Sequence, residues 1–238
     1  MIDFHSHVLP NVDDGSASLD ESIELLSMLS RQGVRRVFST PHFDAMRDTP
    51  EAFFKRREAA MSALSAKLTP ELPEVSLGAE VMYFSGVSRM SILDDMKLEG
   101  TQLLLLEMPI CKWSTYMVDE LVDLSRVREV KLLLAHVERY MKYQSRAVWN
   151  RLLNSGILMQ VNASFFNRFT TRRRALKLLS QGKIHLICSD CHNITSRPPR
   201  LGEALDRVEK HLGREAVQSL ISFGESLIIS DGSIAYAK

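Results

Sequence analysis

The sequence predicts an α/β fold whose parallel strands curl into a closed or nearly closed seven-stranded barrel, with an open doubly wound sheet as the alternative. Seven short apolar runs alternate with longer amphipathic stretches. The runs are apolar throughout rather than alternating with polar residues, as strands covered by helices on both faces are. The length of 238 residues is long for an ordinary domain but normal for a single α/β barrel. No internal repeat, low-complexity tract or Pro/Gly/Ser linker divides the chain, so residues 1–238 are expected to form one domain.

The expected strands are IDFH (2–5), RVFST (36–40), VSLGA (75–79), QLLLLE (102–107), KLLLAH (131–136), ILMQVN (157–162) and IHLICSD (184–190). The first intervening helix is LDESIELLSMLSRQG, where Ile23, Leu26 and Leu29 recur every three residues and Gly33 ends the pattern. Further helices are expected at about 50–67, 116–128, 145–155, 172–181 and 201–212.

Composition excludes several classes. Thirty basic and 29 acidic side chains leave a net charge of +1, which creates no global field for nucleic acid or a membrane surface. The three cysteines, Cys111, Cys188 and Cys191, are too few for a disulfide framework and fit a reducing cytoplasm. No signal peptide is expected, since the first strand-like run starts at Ile2. The longest apolar stretch, LLLL at 103–106, is far too short to span a bilayer.

The ends of the strands carry the chemistry. The first ends in His5-Ser-His7, with Asp13 and Asp14 in the turn that follows. The others end in Thr40-Pro41-His42, Gly78-Ala79-Glu80, Glu107-Met108-Pro109, His136 (with Arg139 three residues on), Asn162, and Ser189-Asp190-Cys191-His192. In a parallel barrel these ends share one face, where active sites are built. His5, His7, Asp14, His42, Glu80, Glu107, His136, Asp190 and His192 would therefore converge. A single histidine at a strand end is more often a hydrogen-bonded structural residue than a ligand. The ensemble argues otherwise, because four carboxylates gathered together repel and are driven toward protonation. Divalent cations remove that cost, and a mixed nitrogen and oxygen donor set suits Mn, Fe or Zn. Nine donors exceed what one ion needs, so two or three are implied.

HSH, the DDG turn, TPH, GxE, ExP, HVERY and SDCHN, in this order between His5 and about Pro199, resemble the polymerase and histidinol phosphatase (PHP) superfamily. More narrowly, the sequence is similar to the metal-dependent bacterial tyrosine-protein phosphatases of capsule and exopolysaccharide operons. The resemblance implies a distorted seven-stranded barrel of (β/α)7, TIM-like type and a trinuclear centre of Mn, Fe, Zn or Co, with Mn favoured. Carried over by motif, His5, His7, Glu80 and Asp190 hold one ion. Glu80, Glu107 and His136 hold a second, and Asp14, His42 and His192 a third. Arg139 of HVERY would contact phosphate and Asp13 would support the turn or the ligands; apart from the resemblance, Arg197 and Arg200 after SDCHN would contact an acidic phosphopeptide substrate. The implied substrate is a phosphotyrosine protein such as the tail of a bacterial tyrosine kinase. One departure is the C-terminal FGESLIISDGS, where the family often has an Asn-Pro-containing tail.

The implied nucleophile is a water shared between ions, since metal binding lowers the pKa of water from ~15.7 to about 7. A phenolate leaving group, with a parent pKa of ~10, needs little proton assistance, which favours phosphotyrosine over an alkyl phosphate such as histidinol phosphate. A small-molecule phosphatase of the same fold and a non-catalytic metal-binding interaction domain are the rival readings. The filled set of nine ligand positions counts against the latter.

Three features have competing explanations. Cys191 and Arg197 stand in the Cys-x5-Arg spacing of thiolate-dependent phosphatases. The loop between them lacks glycine, though, and Asp190 beside the thiol would raise its pKa, so Cys191 reads as a small spacer between ligands. The basic run RFTTRRRALK (168–177), with Arg172–Arg174 at its centre, reads first as a solvated helix start and second as an attractor for an acidic phosphopeptide. Trp113 and Tyr116 either shape a pocket for an aromatic ring or pack on its rim.

Overall fold

The computed structural model describes residues 1–90, 92–126 and 130–229. Every strand pair of its two sheets is parallel. One sheet has three strands in the order β1 (Ile2–Ser6), β2 (Arg36–Ser39), β4 (Glu74–Leu77). The other has six, in the order β3 (His42–Phe43), β5 (Glu80–Met82), β6 (Leu103–Glu107), β7 (Lys131–Leu134), β8 (Leu158–Asn162), β9 (Leu186–Cys188). The far edges approach one another. Asp190 donates its N–H to the His5 carbonyl and His7 donates to the Cys191 carbonyl, both at 2.9 Å, so the end of β9 lies beside the end of β1.

The expected strand 36–40 breaks after Ser39 and resumes as β3, and the stretch 75–79 stops at Leu77 and resumes as β5. Pro41 explains the first break, because it has no N–H for a ladder. At the second, Gly78 packs so tightly that a Cβ there would lie 3.2 Å from Leu98 and 3.3 Å from Thr40. Hydrogen bonds carry across the seam, from Thr40 N–H to Ser6 O (2.8 Å), Gly78 N–H to Ser39 O (2.9 Å) and Glu80 N–H to Pro41 O (3.1 Å). The breaks turn His42 and Glu80 onto the second sheet, where the two residues pair directly.

The helices are α1 (Leu19–Arg31), α2 (Pro50–Ser65), α3 (Leu93–Met96), α4 (Thr115–Leu124), α5 (Arg146–Asn154), α6 (Ala163–Asn167), α7 (Phe169–Ser180), α8 (Leu201–Leu212) and α9 (Arg214–Glu225). Ser18, Thr49, Ser114 and Ser145 each accept a backbone N–H of the first turn of α1, α2, α4 and α5, so four starts are fixed by hydroxyl caps. Helix α7 starts three residues before the expected Arg172, while α3, α6 and α9 are not anticipated by periodicity. The first two are too short for a 3.6-residue pattern to register. The expected end of the 116–128 helix falls partly outside the described residues.

Strand alternation sorts the core into two layers. Leu104, Leu106, Leu132 and Leu134 face the helices, whereas Leu103, Leu105, Leu133 and Leu158 join Phe4 and Phe38 inside the curl. Leu227 closes the inner layer, and Ile228 and Ile229 bond back to Thr101 and Gly100. That half of the divergent FGESLIISDGS segment is packed; residues 230–233 lie outside the described residues. Among the described residues, no helix is long and apolar enough to cross a membrane.

Candidate metal centre

All nine expected donors stand at the C-terminal mouth of the curled sheet, and His5, His7, Glu80, His136, Asp190 and His192 are buried there. Glu80 is the hub. Its Oε2 lies 3.0 Å from His5 Nε2, 3.3 Å from His7 Nε2 and 3.2 Å from His42 Nδ1, while Oε1 lies 2.8 Å from His136 Nε2. Glu107 approaches His136 Nε2 at 3.3 Å. Asp14 sits on the exposed rim, with Oδ1 3.5 Å from the Nε2 atoms of both His42 and His192.

Three of the imidazoles, those of His5, His7 and His192, are oriented by what their Nδ1 atoms touch, as second partners orient metal-ligating histidines. His7 Nδ1 donates to Asp13 Oδ2 at 2.7 Å, which leaves Nε2 facing the centre. Asp13 also accepts from His42 N–H (2.9 Å) and Gly15 N–H (2.9 Å), so one carboxylate ties the DDG turn to two donor residues. His192 Nδ1 donates to the Asp190 carbonyl at 3.1 Å, and its Nε2 is buried without a hydrogen-bond partner.

A chain of amides fixes the remaining orientation. Asn162 donates to Asp190 Oδ2, Gln160 Nε2 donates to Asn162 Oδ1 (3.0 Å), and Gln160 Oε1 accepts from His5 Nδ1 (3.2 Å) and His136 N–H. Gln160 does not stand at a strand end and Asn162 is a weak ligand type, so neither belongs to the expected donor set. The available signal was their alternation with apolar residues on β8, which points both into the curl beyond Leu158.

Asp190 divides its oxygens between two tasks. Oδ2 accepts from Arg139, Arg197 and Asn162, whereas Oδ1 is turned toward His5 and His7 at 3.5 Å and has no hydrogen-bond partner. Two of the expected donor positions have unusual backbones, His136 at φ 29° and Asp190 at φ 49°. Strand alternation would send His136 away from Ala135 and out of the curl; the left-handed turn brings its ring to Glu80. Such conformations are costly for side-chain-bearing residues and persist where surrounding structure enforces them.

Electrostatics separates the donors. Burial opposes ionisation of Glu80 and Asp190, but the neighbouring histidines outweigh it and hold both carboxyls well below the usual carboxylate range. Burial would likewise lower His5 and His7, yet the surrounding carboxylates raise both. His192 goes the other way, to about 3, through burial and the facing charge of His7. The Glu107 carboxyl is raised, by burial and then by the charge of Glu80. Two further buried carboxyls were missed by sequence reasoning. Burial pushes Asp3 up to about 6 and Glu138 up to about 7.

The donor set fits divalent cations. Donor atoms of His7, Asp14, His42 and His192 come within 4.8 Å of one another, as do those of His5, His7 and Asp190 and those of His42, Glu80 and Glu107. Asp190 Oδ1 and His192 Nε2, buried and unpartnered, each point a lone pair where an ion would meet it. Such orphaned atoms are costly unless something satisfies them.

The competing motifs are placed elsewhere. Cys191 is fully buried and its thiol is pushed up to about 12 by burial and then by the charge of Asp3. The loop after it cradles no anion, since the N–H groups of Thr195, Ser196 and Arg197 are taken by Asn193 Oδ1. Trp113 packs in the core against Tyr140 and Trp149, which removes it from any substrate pocket, while Tyr116 is exposed and accepts from Ser85. Arg172 spends its guanidinium on the Phe166 and Asn167 carbonyls, so the basic run is not uniformly solvated.

A curled parallel α/β sheet with imidazoles, carboxylates and two arginines at its C-terminal mouth defines the class: an α/β protein built around a donor set that could hold metal ions. Comparison with known proteins is specific. The chain belongs to the capsular polysaccharide synthesis family CpsB/CapC, whose model matches residues 1–229. It is 31% identical over 236 residues to the tyrosine-protein phosphatase CpsB of Streptococcus agalactiae, covering 92% of this chain and 94% of that one. Among solved structures it superposes with a TM-score of 0.82, at 26% identity, on a chain from the study of Bacillus subtilis YwqE and Streptococcus pneumoniae CpsB, described as unique metal-dependent tyrosine phosphatases. That match covers 95% of this chain and 94% of the other. A Lactococcus lactis histidinol phosphate phosphatase shares the fold, with a TM-score of 0.56 at 13% identity over 90% of this chain and 93% of that one.

Proposed function

We propose that this chain is a metal-dependent protein-tyrosine phosphatase, forming one domain with a distorted (β/α)7 barrel. The observation that carries the reading is the convergence of nine nitrogen and oxygen donors in one mouth beside Arg139 and Arg197. The relatives named as tyrosine phosphatases support the substrate class. His5, His7, Glu80 and Asp190 would hold one divalent ion, Glu80, Glu107 and His136 a second, and Asp14, His42 and His192 a third, with Mn favoured. When bound, such ions supply Lewis acidity that activates water and offsets phosphoryl charge.

The chain's own residues bind and orient the ester. Arg139 and Arg197 are partly exposed at the mouth and anchored on Asp190 Oδ2, which leaves N–H donors for the non-bridging oxygens. Asp13, Gln160 and Asn162 hold the imidazoles and Asp190 in place. The departing phenolate needs no dedicated acid, unlike an alkoxide. The biological substrate in this reading is a phosphotyrosine protein, the tail of a bacterial tyrosine kinase in the cytoplasm of a capsule- or exopolysaccharide-producing cell.

The test is turnover of a phosphotyrosine peptide and of histidinol phosphate after chelation, then after re-addition of Mn, Fe, Zn or Co. We expect activity to vanish and return, to favour the peptide, and to survive Cys191→Ala. Activity that persists without metal, or a preference for histidinol phosphate, overturns the proposal.

A further inference from the structure

A cavity of about 750 Å³ runs from the centre, where Arg139, Asp190 and Arg197 form its inner end, out to Arg168, Thr170, Arg174 and Arg200. This is room for more than one phosphoryl group, since pockets of ~300–1,000 Å³ take whole drug-sized ligands. The two halves differ in how their charge is used. At the inner end Arg139 and Arg197 are neutralised by Asp190. In the outer half, among the described residues, Arg200 has only a 4.0 Å contact with Glu203, both side chains being more than half exposed. The guanidinium of Arg174 meets, among the described residues, only the sulfur of Met141 at 3.7 Å. Arg168 has no ion pair among the described residues.

The backbone adds to this field. Arg168 is the N-cap of α7, a 12-residue helix with no side-chain cap and no acidic residue in its first turn. Its positive end is therefore uncompensated, and it faces the same cavity through Thr170 and Thr171. Between Arg168 and Thr170, Phe169 is 89% exposed, an aromatic surface at the rim of the basic patch. Helix starts ordinarily carry Asp or Glu, so Arg168 at this one is unfavourable for folding. An anion supplied by a ligand reverses that cost.

We propose that the outer half of this cavity is a second anion subsite, in which Arg168, Arg174 and Arg200 receive an acidic or phosphorylated side chain flanking the target phosphotyrosine. It rests on the phosphotyrosine reading above and extends it to the residues around the ester. Arg172 has no part in it, being tied to its own backbone carbonyls. The subsite selects peptide substrates by flanking charge and is indifferent to small aryl phosphates, which end at the inner arginines.

The experiment compares three phosphotyrosine peptides, flanked by alanine, by glutamate or by a second phosphotyrosine, with p-nitrophenyl phosphate. It uses the metal-loaded wild type, R168Q, R174Q and the double variant. Each arginine should contribute about two- to fivefold to kcat/KM for charged peptides, from what an exposed ion pair supplies. The double variant should lose most of the preference over alanine flanks, keeping only what Arg200 supplies, while retaining aryl phosphate turnover, which also shows that it folds. A larger effect for the second phosphotyrosine than for glutamate identifies phosphate as the preferred anion, and equal effects identify a carboxylate site; either supports the subsite. A wild type blind to flanking charge, or a preference unchanged in the double variant, overturns it. Binding of the same peptides to metal-free protein, read by fluorescence anisotropy, separates the two proposals. If no peptide is hydrolysed yet charged flanks still bind through Arg168 and Arg174, the phosphotyrosine reading falls and the subsite stands.

Discussion

At the scale of single residues, adjacent aspartates do different work. Asp13 reaches inward to His7 Nδ1 and two backbone N–H groups, whereas Asp14 stands outward between the Nε2 atoms of His42 and His192. Asp14→Ala should therefore lose one ion per chain by elemental analysis. Asp13→Asn should keep the stoichiometry and bind about 10–100-fold more weakly, as loss of a group that orients a ligand does. Asp3 makes a separate, pH-dependent prediction. It is fully buried, one oxygen has no hydrogen-bond partner, and burial pushes it up from 3.8 to about 6. Between those values the folded chain keeps a proton that the unfolded chain releases, so stability falls as pH rises through the window and stays lower above it. Asp3→Asn removes that loss. In chelated protein it should be more stable than wild type at pH 8 by about 1–2 kcal/mol, with the gain gone below pH 4, by denaturant titration. A gain over wild type that is no larger at pH 8 than at pH 4 would contradict the assignment.

At the scale of elements, the site depends on places where regular structure stops. His42 and Glu80 reach the centre because Pro41 and Gly78 interrupt their strands, and His136 because its backbone leaves β7 at φ 29°. The DDG turn is equally constrained. A Cβ on Gly15 would lie 2.5 Å from both the Cβ and the carbonyl oxygen of His7, neither of which can move without shifting β1. Gly15→Ala should cost about 3 kcal/mol or more, and metal affinity should fall with it because both aspartates ride on the turn. Thermal melts of chelated and metal-loaded variant measure the two effects separately. Strand ends and most helices were legible from apolar runs and periodicity. Helices α3, α6 and α9 and the break at Gly78 were not, the last because it arises from contacts of Gly78 with Leu98 and Thr40.

For the whole molecule, closure decides what the site can be. The bonds between the ends of β1 and β9 bring His192 against His7, their ring centroids 3.9 Å apart. The two apolar layers on either side of the sheet do not involve the donor cluster, so the fold should survive without metal. The same metal-depletion experiment that tests activity should thus give a cooperative melt at lower temperature. Re-addition at 100 times Kd should restore about 2.7 kcal/mol per independent site. Loss of cooperative melting on chelation would show instead that the ions hold the fold together.

Residue order alone marked the barrel-like α/β architecture and the nine donor positions, because apolar strands ending in ligand-type side chains are a local pattern repeated along the chain; the preference for Asp14 over Asp13 came only from motif resemblance. It could not reveal Gln160 and Asn162 as the link joining Asp190 to His5 and His136, nor that Arg172 is held by carbonyls while Arg168 and Arg174 face a cavity. Those roles depend on which distant groups share a few ångströms of space. That proximity is set by the curl of the sheet, where strands far apart in sequence end side by side and every buried polar group must find its partner among them.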